Sequence, residues 1–254
     1  MKIRITALVF MMIMAIAFQA FAGTEAKLEV GAKLIDINTF YNGTSLKVSG
    51  SVPEGCEAVL RFVGSSSELH MKEKGKAMGV LWMNLNSLTF KNVPGVFLVN
   101  TSETFSKSDE NYGTMKKIGL SSLRDSIGVE ADKTDKTLAV DELLKLKQQE
   151  GLYNEVSGNI LYLPGMAGQK AFKAEISVPS RLLPGEYSIE LLAVQDGQIV
   201  SQAKQNITAG LSGFPKLMSS LAFGNSLLYG VLATVIAIFS GLGIGMVFQS
   251  KGAH

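Results

Sequence analysis

The chain has 254 residues, of which 46% are hydrophobic, and it carries 24 Lys and Arg against 22 Asp and Glu. This length fits one large domain or two small ones. The charge is nearly balanced and forms no basic stripe, so nucleic acid is not expected as a partner. Cys56 is the single cysteine, which excludes a disulfide within the chain.

Residues 1–22 predict a cleaved secretory signal peptide. Lys2 and Arg4 give it a positive start, and the following residues, up to residue 18, form an uncharged apolar run. Ala20 and Ala22 then occupy the two positions that a signal peptidase reads. An uncleaved anchor is the alternative, although the run is short for a span of about 20 residues. Cleavage would remove two basic residues and no acidic one, which balances the charges of the remaining chain.

From residue 27 onwards, apolar and polar residues alternate, as in half-buried β-strands. Leu46, Val48 and Val52 are the apolar positions of one such strand, with Gly50 on the same face. The stretch 27–37 changes phase after its fourth apolar residue, which predicts a β-bulge within a single strand. Further strands are expected at 58–63, 68–74, 78–83, 87–90 and 96–101.

Residues 103–152 predict a helical insertion. The segment is polar at first and then carries a narrow apolar face, formed by Ala139, Val140, Leu143 and Leu144. A strand pair joined by a tight turn at residues 196–197 closes the domain. We therefore predict a mainly β chain in which residues 23–212 form an Ig-like antiparallel β-sandwich with this insertion. Two small sandwiches in tandem are the alternative.

Residues 213–226 predict a juxtamembrane amphipathic helix. Its apolar residues recur at helical spacing, which suits a helix at a membrane interface; they are Phe214, Leu217, Met218 and Leu221. Packing of this face against the exposed domain is the alternative.

Residues 227–248 contain no charge and predict a transmembrane helix, because about 20 apolar residues cross a bilayer as helix. With a translocated domain before it, this segment would stop transfer and leave residues 249–254 as a cytoplasmic tail. Gly241 and Gly245 form a G-x-x-x-G pattern, which allows a second membrane helix to approach closely. The alternative is that glycine is simply frequent in membrane helices.

The sequence predicts no catalytic, cofactor-binding or metal-binding residue, and an enzyme is not expected. His70 and His254 are the only histidines, and they share no helix or strand, so a zinc site is not expected. Asp132 and Asp135 lack the spacing of a calcium loop and are interpreted as solvated. Trp82 is interpreted as core or interface filler.

The chain resembles a family of bacterial, mainly proteobacterial, transmembrane proteins of unassigned function. The matching stretches, taken in order, are FYNGTSLKVSGSV, GVLWMNLNSLTFKNVPGVFLV, KKIGLSSL, LLKLKQQEGLY and LPGEYSIELLAVQDGQIV. The resemblance implies a signal peptide, a β-rich periplasmic region and one C-terminal helix in the inner membrane. Members are often encoded beside sulfite-exporter-like permeases, which implies an accessory role for this chain.

Three functions follow as hypotheses, in decreasing order of preference. The first is a non-enzymatic accessory subunit of a membrane partner, such as a sulfite or anion permease, or of a second copy of the chain, held through the transmembrane helix. The second is a membrane-tethered periplasmic module that binds or senses a ligand. The third, an envelope enzyme, would need a pocket of convergent titratable groups.

Overall fold

The computed structural model describes residues 25–77, 80–108, 111–131, 135–164 and 168–249, so the predicted signal peptide and nearly all of the predicted tail lie outside it. The strands are β1 Lys27–Val30, β2 Leu34–Ile37, β3 Thr44–Pro53, β4 Glu57–Gly64, β5 Ser66–Ala77, β6 Leu81–Pro94, β7 Phe97–Thr101, β8 Gly128–Glu130, β9 Tyr153–Ser157, β10 Ile160–Leu163, β11 Gln169–Val178, β12 Gly185–Gln195 and β13 Gln198–Leu211. The helices are α1 Glu103–Lys107, α2 Tyr112–Ile118, a 3₁₀ helix Leu120–Ser122, α3 Leu123–Ser126, α4 Lys136–Gln149, α5 Gly213–Gly224 and α6 Ser226–Gln249.

The prediction of a mainly β chain with one C-terminal membrane-capable helix is confirmed. The strands of the described residues form sheets of four, six and three strands. The chain divides into two compact units, of which the first holds residues 25–35 and 42–209 and the second residues 36–41 and 210–249. The Ig-like topology stays a prediction.

The four-stranded sheet has the order β1-β3-β11-β10, and all its pairs are antiparallel. Leu46, Val48 and Val52 are buried on β3, as the alternation predicts. Gly50 leaves room for the ring of Phe172 on β11, since a Cβ there would lie 2.9 Å from the Phe172 Cζ. The inner face of this sheet is therefore apolar and closely packed.

The six-stranded sheet has the order β2-β13-β12-β4-β7-β9. Its central strands are buried on both faces, and all five residues of β7 are buried. Such strands read as continuous apolar runs because both their faces leave water. On one face, the rings of Phe62 and Tyr187 stack with their centroids 5.3 Å apart.

The helices between β7 and β9 contact the other face of this sheet. The guanidinium of Arg61 on β4 donates to the carbonyl of Ile118 at 3.5 Å. The hydroxyl of Thr114 donates to the carbonyl of Gly197 in the β12–β13 turn. The sheet therefore lies beneath a helical layer.

The pairing of β7 with β9 corrects one feature of the predicted antiparallel sandwich. Phe97 to Thr101 on β7 run parallel to Tyr153 to Ser157 on β9. Parallel neighbours need a long crossover connection, and the helices between the two strands supply it. The insertion is therefore part of the sheet topology, since it carries the chain from one strand to its parallel partner.

Two strand predictions are also wrong. The stretch 27–37 is not one bulged strand, because β1 pairs in the four-stranded sheet and β2 belongs to the six-stranded sheet. Residues 81–83 and the predicted strand 87–90 belong to one strand, β6, which pairs with β5 with irregularities at two points, while residues 78 and 79 lie outside the described residues.

The third sheet is a long two-stranded ribbon to which a short strand is added. β5 and β6 pair from Ser66↔Pro94 to Ala77↔Leu81, whereas β8 contacts β6 only at residues 89–91. The part of the ribbon nearer residues 77 and 81 has no further strand beside it among the described residues. Trp82 lies there with 67% of its surface exposed, so it is not a core residue, and its interpretation as interface filler stays a prediction.

Helix α4 follows the predicted pattern. Ala139, Val140, Leu143 and Leu144 are all buried. The helix begins where the carboxylate of Asp135 accepts backbone N–H groups of the first turn, the usual arrangement of an N-cap. It ends before Gly151, whose φ of +73° lies in the left-handed region that favours glycine.

The second unit contains α5 and α6. Before α5, the Ser212 N–H donates to the carbonyl of Ile37 at 3.0 Å. No residue of α5 is buried. α6 follows Asn225, and it is the one helix of the described residues that is long and apolar enough to cross a membrane, with a mean hydropathy of 2.3 over Ser226–Phe248.

Candidate functional site

The main candidate binding site is a groove of about 580 Å³ between the β5–β6 ribbon and helix α4. Its apolar lining comprises Met71, Leu88, Phe90, Leu138, Ala139, Leu143 and Leu146. Its polar lining comprises Lys72, Glu73, Lys74, Glu142, Lys145 and Gln149. A groove with an apolar base and a polar rim is the usual form of a ligand or peptide site.

Strand alternation and helix periodicity together produce this lining. Met71 and Leu88 are paired across the ribbon, so their side chains share one face. On α4, residues at intervals of three and four lie above one another and present Leu138, Glu142 and Leu146 along the groove. Leu138 is 58% exposed and Leu146 is 36% exposed, which leaves apolar surface on the helix open to a ligand.

The charged rim of the groove is already partly paired. The ammonium group of Lys145 lies 2.7 Å from the Glu142 carboxylate, and this hydrogen bond raises the pKa of Lys145. Lys72 donates to the hydroxyl of Ser87 at 2.7 Å. These groups are suited to steering and orienting a ligand by charge.

Elsewhere among the described residues, a dense cluster of hydrogen-bonded titratable groups surrounds Glu57 at the start of β4. Its carboxylate accepts hydrogen bonds from Tyr162 at 2.6 Å, Ser102 at 2.7 Å, Lys170 at 3.0 Å and Thr104 at 3.1 Å. Burial by itself would raise the pKa of Glu57. The hydrogen bonds from Tyr162, Ser102 and Lys170 outweigh that effect and lower the pKa below its ordinary value.

Lys170 and Tyr162, which both bond to Glu57, also make other contacts. The ammonium of Lys170 lies 3.5 Å from the centre of the Tyr162 ring, a cation–π contact. The Tyr162 oxygen also accepts the N–H of Ala58 at 2.8 Å, and burial and the Glu57 hydrogen bond raise the pKa of its hydroxyl. The cluster joins β4 to β10 and β11, so we interpret it as a structural link.

Cys56 does not add a reactive thiol to this cluster. The residue is 1% exposed, and its thiol lies 3.7 Å from the side-chain oxygen of Gln195. Burial raises the pKa of the Cys56 thiol, which disfavours the thiolate that would act as a nucleophile. In the part of the chain that the structure describes, no group of three or more His, Cys, Asp or Glu could hold a metal ion.

A second ion-pair group lies on the helix-covered face of the six-stranded sheet. The guanidinium of Arg61 is paired with the carboxylate of Glu190, and Lys204 approaches the same carboxylate at 3.1 Å. Burial would raise the pKa of Glu190, but the charge and hydrogen bonds of Arg61, with those of Lys204, lower it. Because Arg61 also holds the Ile118 carbonyl, this group fastens the helical layer to the sheet.

The predicted membrane residues all lie on α5 and α6. Phe214 and Leu217 are exposed, and Leu221 is half-buried together with Met218. A Cβ placed on Gly241 or Gly245 would meet nothing within 4 Å, so this face of α6 has room for a neighbouring helix. Contact of these residues with a membrane interface or a second helix stays a prediction.

The groove and the Glu57 cluster were not predicted from the sequence, for different reasons. The groove had a local signal, because Leu138 and Leu146 widen the apolar face of α4 beyond its buried residues. The cluster had none, because Glu57 meets partners that lie 45 to 113 residues away in the chain.

A model of the family described as "Putative transmembrane protein (Alph_Pro_TM)" matches residues 26–250. No curated protein matches the chain. Among solved structures, one titled "Structural basis of T cell specificity and activation by the bacterial superantigen toxic shock syndrome toxin-1" is similar over 74% of this chain and 99% of that chain. Its sequence identity is 8% and its TM-score is 0.24.

Proposed function

Because the chain belongs to the transmembrane protein family whose model covers residues 26–250, we propose that it is a single-span protein of the bacterial inner membrane. The β-rich unit lies in the periplasm and residues 249–254 in the cytoplasm. In this proposal the protein is a non-enzymatic subunit that binds an integral membrane partner, such as an anion permease.

Helix α6 is the observation that carries this proposal. It presents apolar side chains on every side, and none of its membrane-spanning window is buried within the chain. A helix that is apolar all round belongs in lipid, and one with a face of small residues can also pack closely against another helix. Gly241 and Gly245 supply such a face, and Gly243 points away from it because successive helical residues are about 100° apart.

The test is purification of the full-length protein, tagged after the last residue and extracted in mild detergent from cross-linked cells. We expect a polytopic membrane protein in stoichiometric amount. Gly241→Leu with Gly245→Leu should abolish its recovery, because the added side chains hold the helices apart. Gly243→Leu is the control, as it adds one leucine side chain at the intermediate depth on the opposite face, and it should leave recovery unchanged.

Two other results would contradict the permease proposal. Recovery of the chain without any other protein would indicate that α6 serves only to anchor it in the membrane. Cross-linked copies of the chain without another protein would show self-association through α6. Equal loss of the partner in the Gly243→Leu control would remove the argument from the glycine face.

A second function, a membrane-tethered module that binds a ligand, is favoured by the groove between the β5–β6 ribbon and α4. An apolar groove whose rim carries three lysines and two glutamates suits an extended or amphipathic ligand with polar or charged groups. Leu138→Ser with Leu146→Ser should remove the exposed leucines of the groove and leave buried Leu143 in place. Loss of bound small molecules or peptides from the purified variant, detected by mass spectrometry, would support this function, and an identical set would contradict it.

A further inference from the structure

We propose that the outer end of the β5–β6 ribbon is a second membrane-contact site, which binds the surface of an anionic lipid bilayer. We define this ribbon end as Val80–Met83 on the β6 side, with Lys74 and Lys76 on the β5 side. The inference depends on α6 as a membrane anchor and does not depend on the proposed permease partner.

The ribbon end extends beyond the elements that support the rest of the ribbon. β8 pairs with β6 only at residues 89–91, and the residues of the groove beside α4 reach no farther along β5 than Lys74. Beyond this point, Gly75↔Met83 and Lys76↔Trp82 pair only with each other. The end is therefore a projecting surface among the residues that the structure describes.

This projecting end is apolar to an unusual degree. Val80 is 85% exposed, Trp82 67%, Leu81 66% and Met83 46%. Four consecutive large apolar residues rarely stay in water on a soluble protein, and a contiguous exposed group of this kind indicates a contact with another phase or partner. Trp is also the residue that most favours the headgroup level of a bilayer, because its ring is apolar and its N–H needs water.

Lysines flank the apolar residues on the same part of the ribbon. Lys72, Lys74 and Lys76 occupy alternate positions of β5, so their side chains share one face, and Trp82 on β6 lies on it opposite Lys76. The Lys76 ammonium lies 5.4 Å from the centre of the Trp82 ring. Glu73 is the only acidic residue between Lys72 and Asn84, which leaves this part of the ribbon positive.

An anionic lipid surface matches this combination better than a protein partner does. Apolar side chains enter the interface while neighbouring lysines remain at headgroup level and meet the negative phosphates. A chain anchored by its own helix also has a bilayer near it at all times, so a weak contact becomes an intramolecular one with a high effective concentration. Docking of the ribbon end would restrict how the periplasmic unit moves above the membrane.

Trp82 is the single tryptophan of the chain, so intrinsic fluorescence reports on the ribbon end without any added label. The full-length protein is reconstituted into vesicles of phosphatidylcholine alone and of equal parts phosphatidylcholine and phosphatidylglycerol. In the anionic vesicles we expect Trp82 emission to shift to shorter wavelength, acrylamide quenching to fall, and lipids spin-labelled near the top of the acyl chain to quench it. Neutral vesicles should give smaller changes, and high salt should reverse part of the effect.

Replacing Lys74 and Lys76 with Gln should reduce the ratio of docked to free ribbon on the order of thirtyfold, from the usual contribution of a lysine at an anionic surface. The matched control replaces Lys47 and Lys173, exposed residues outside the ribbon, with Gln and should leave Trp82 docked. Emission and quenching that are the same in neutral and anionic vesicles would overturn the proposal. Because these vesicles contain no other membrane protein, that result would not bear on the permease partner.

Discussion

Glu57→Gln is expected to destabilise the β-rich unit by about 2 kcal/mol. Gln keeps the shape of Glu and one acceptor oxygen, so the hydroxyl groups of Ser102 and Tyr162 can retain much of their bonding. The main loss is the negative charge opposite Lys170, whose side chain is only 31% exposed. Hydrogen bonds to charged groups are worth about 1.5–3 kcal/mol, and solvent access places this one below the upper end of that range.

The destabilisation caused by Glu57→Gln should become smaller at acidic pH. The pKa of Glu57 is lower in the folded chain than its ordinary value of 4.5. The stabilisation from its carboxylate is therefore complete above that ordinary value and is lost as the pH falls through the folded-state pKa. The difference in free energy of unfolding between wild type and Glu57→Gln should shrink as the medium is acidified below pH 4.5.

Urea unfolding of the full-length protein in mild detergent, followed by far-ultraviolet circular dichroism, measures the effect. Helix α6 should stay helical in the micelle, so the transition reports the β-rich unit. Glu54→Gln is the matched control, because Glu54 is exposed in the turn just before β4. It should change the urea midpoint very little.

A double-mutant cycle with Lys170→Met isolates the charge pair. Removing both partners should cost less than the sum of the two single changes, because neither charge is then left without its partner. If Glu57→Gln stays within about 0.5 kcal/mol of the wild type, or if the two changes are additive, our interpretation of the cluster as a structural link is wrong.

Three further changes test the packing by the same urea measurement. Gly50→Ala should lower the free energy of unfolding by about 3 kcal/mol or more, since a Cβ would lie 2.1 Å from a carbonyl oxygen of β1. The control Gly128→Ala should lower it little, because a Cβ there would lie 3.6 Å from its nearest atom. Equal effects of the two changes would contradict the clash at Gly50. Arg61→Ala should lower the free energy of unfolding by about 2 kcal/mol, because Glu190 loses its main partner. No change would show that Lys204 alone is enough to stabilise the Glu190 carboxylate. Asp135→Ala should cost about 1 kcal/mol through loss of the α4 cap, whereas Asp135→Asn should be nearly neutral.

Local patterns predicted most strands and the helices that have a clear apolar period. The alternation on β3 and the apolar face of α4 both appear as expected, because each depends only on residues near in sequence. Residues 196 and 197 form the expected hairpin turn, and both have positive φ angles. The C-terminal helix was predictable for the same reason, since length and lack of charge are local properties.

The errors arise where two arrangements share one local pattern. A change of phase in residues 27–37 fits a bulge and fits a chain that leaves one sheet for another, and only the distant partners distinguish them. The parallel pairing of β7 with β9 depends on how the insertion between them folds. Trp82 carries a residue type common in cores, but the ribbon end has no neighbouring element to cover it among the described residues.

The position of β12 in the six-stranded sheet has a consequence for how the protein is made. β12 pairs with β4 from Tyr187↔Gly64 to Val194↔Glu57, although more than a hundred residues of chain separate them. Until residues 185–195 have been synthesised, β4 lacks this neighbour, and its apolar surface invites association with other chains. A chain broken off before that point has no complete core, so a stable β-rich unit arises only in molecules whose synthesis has come close to the anchoring helix.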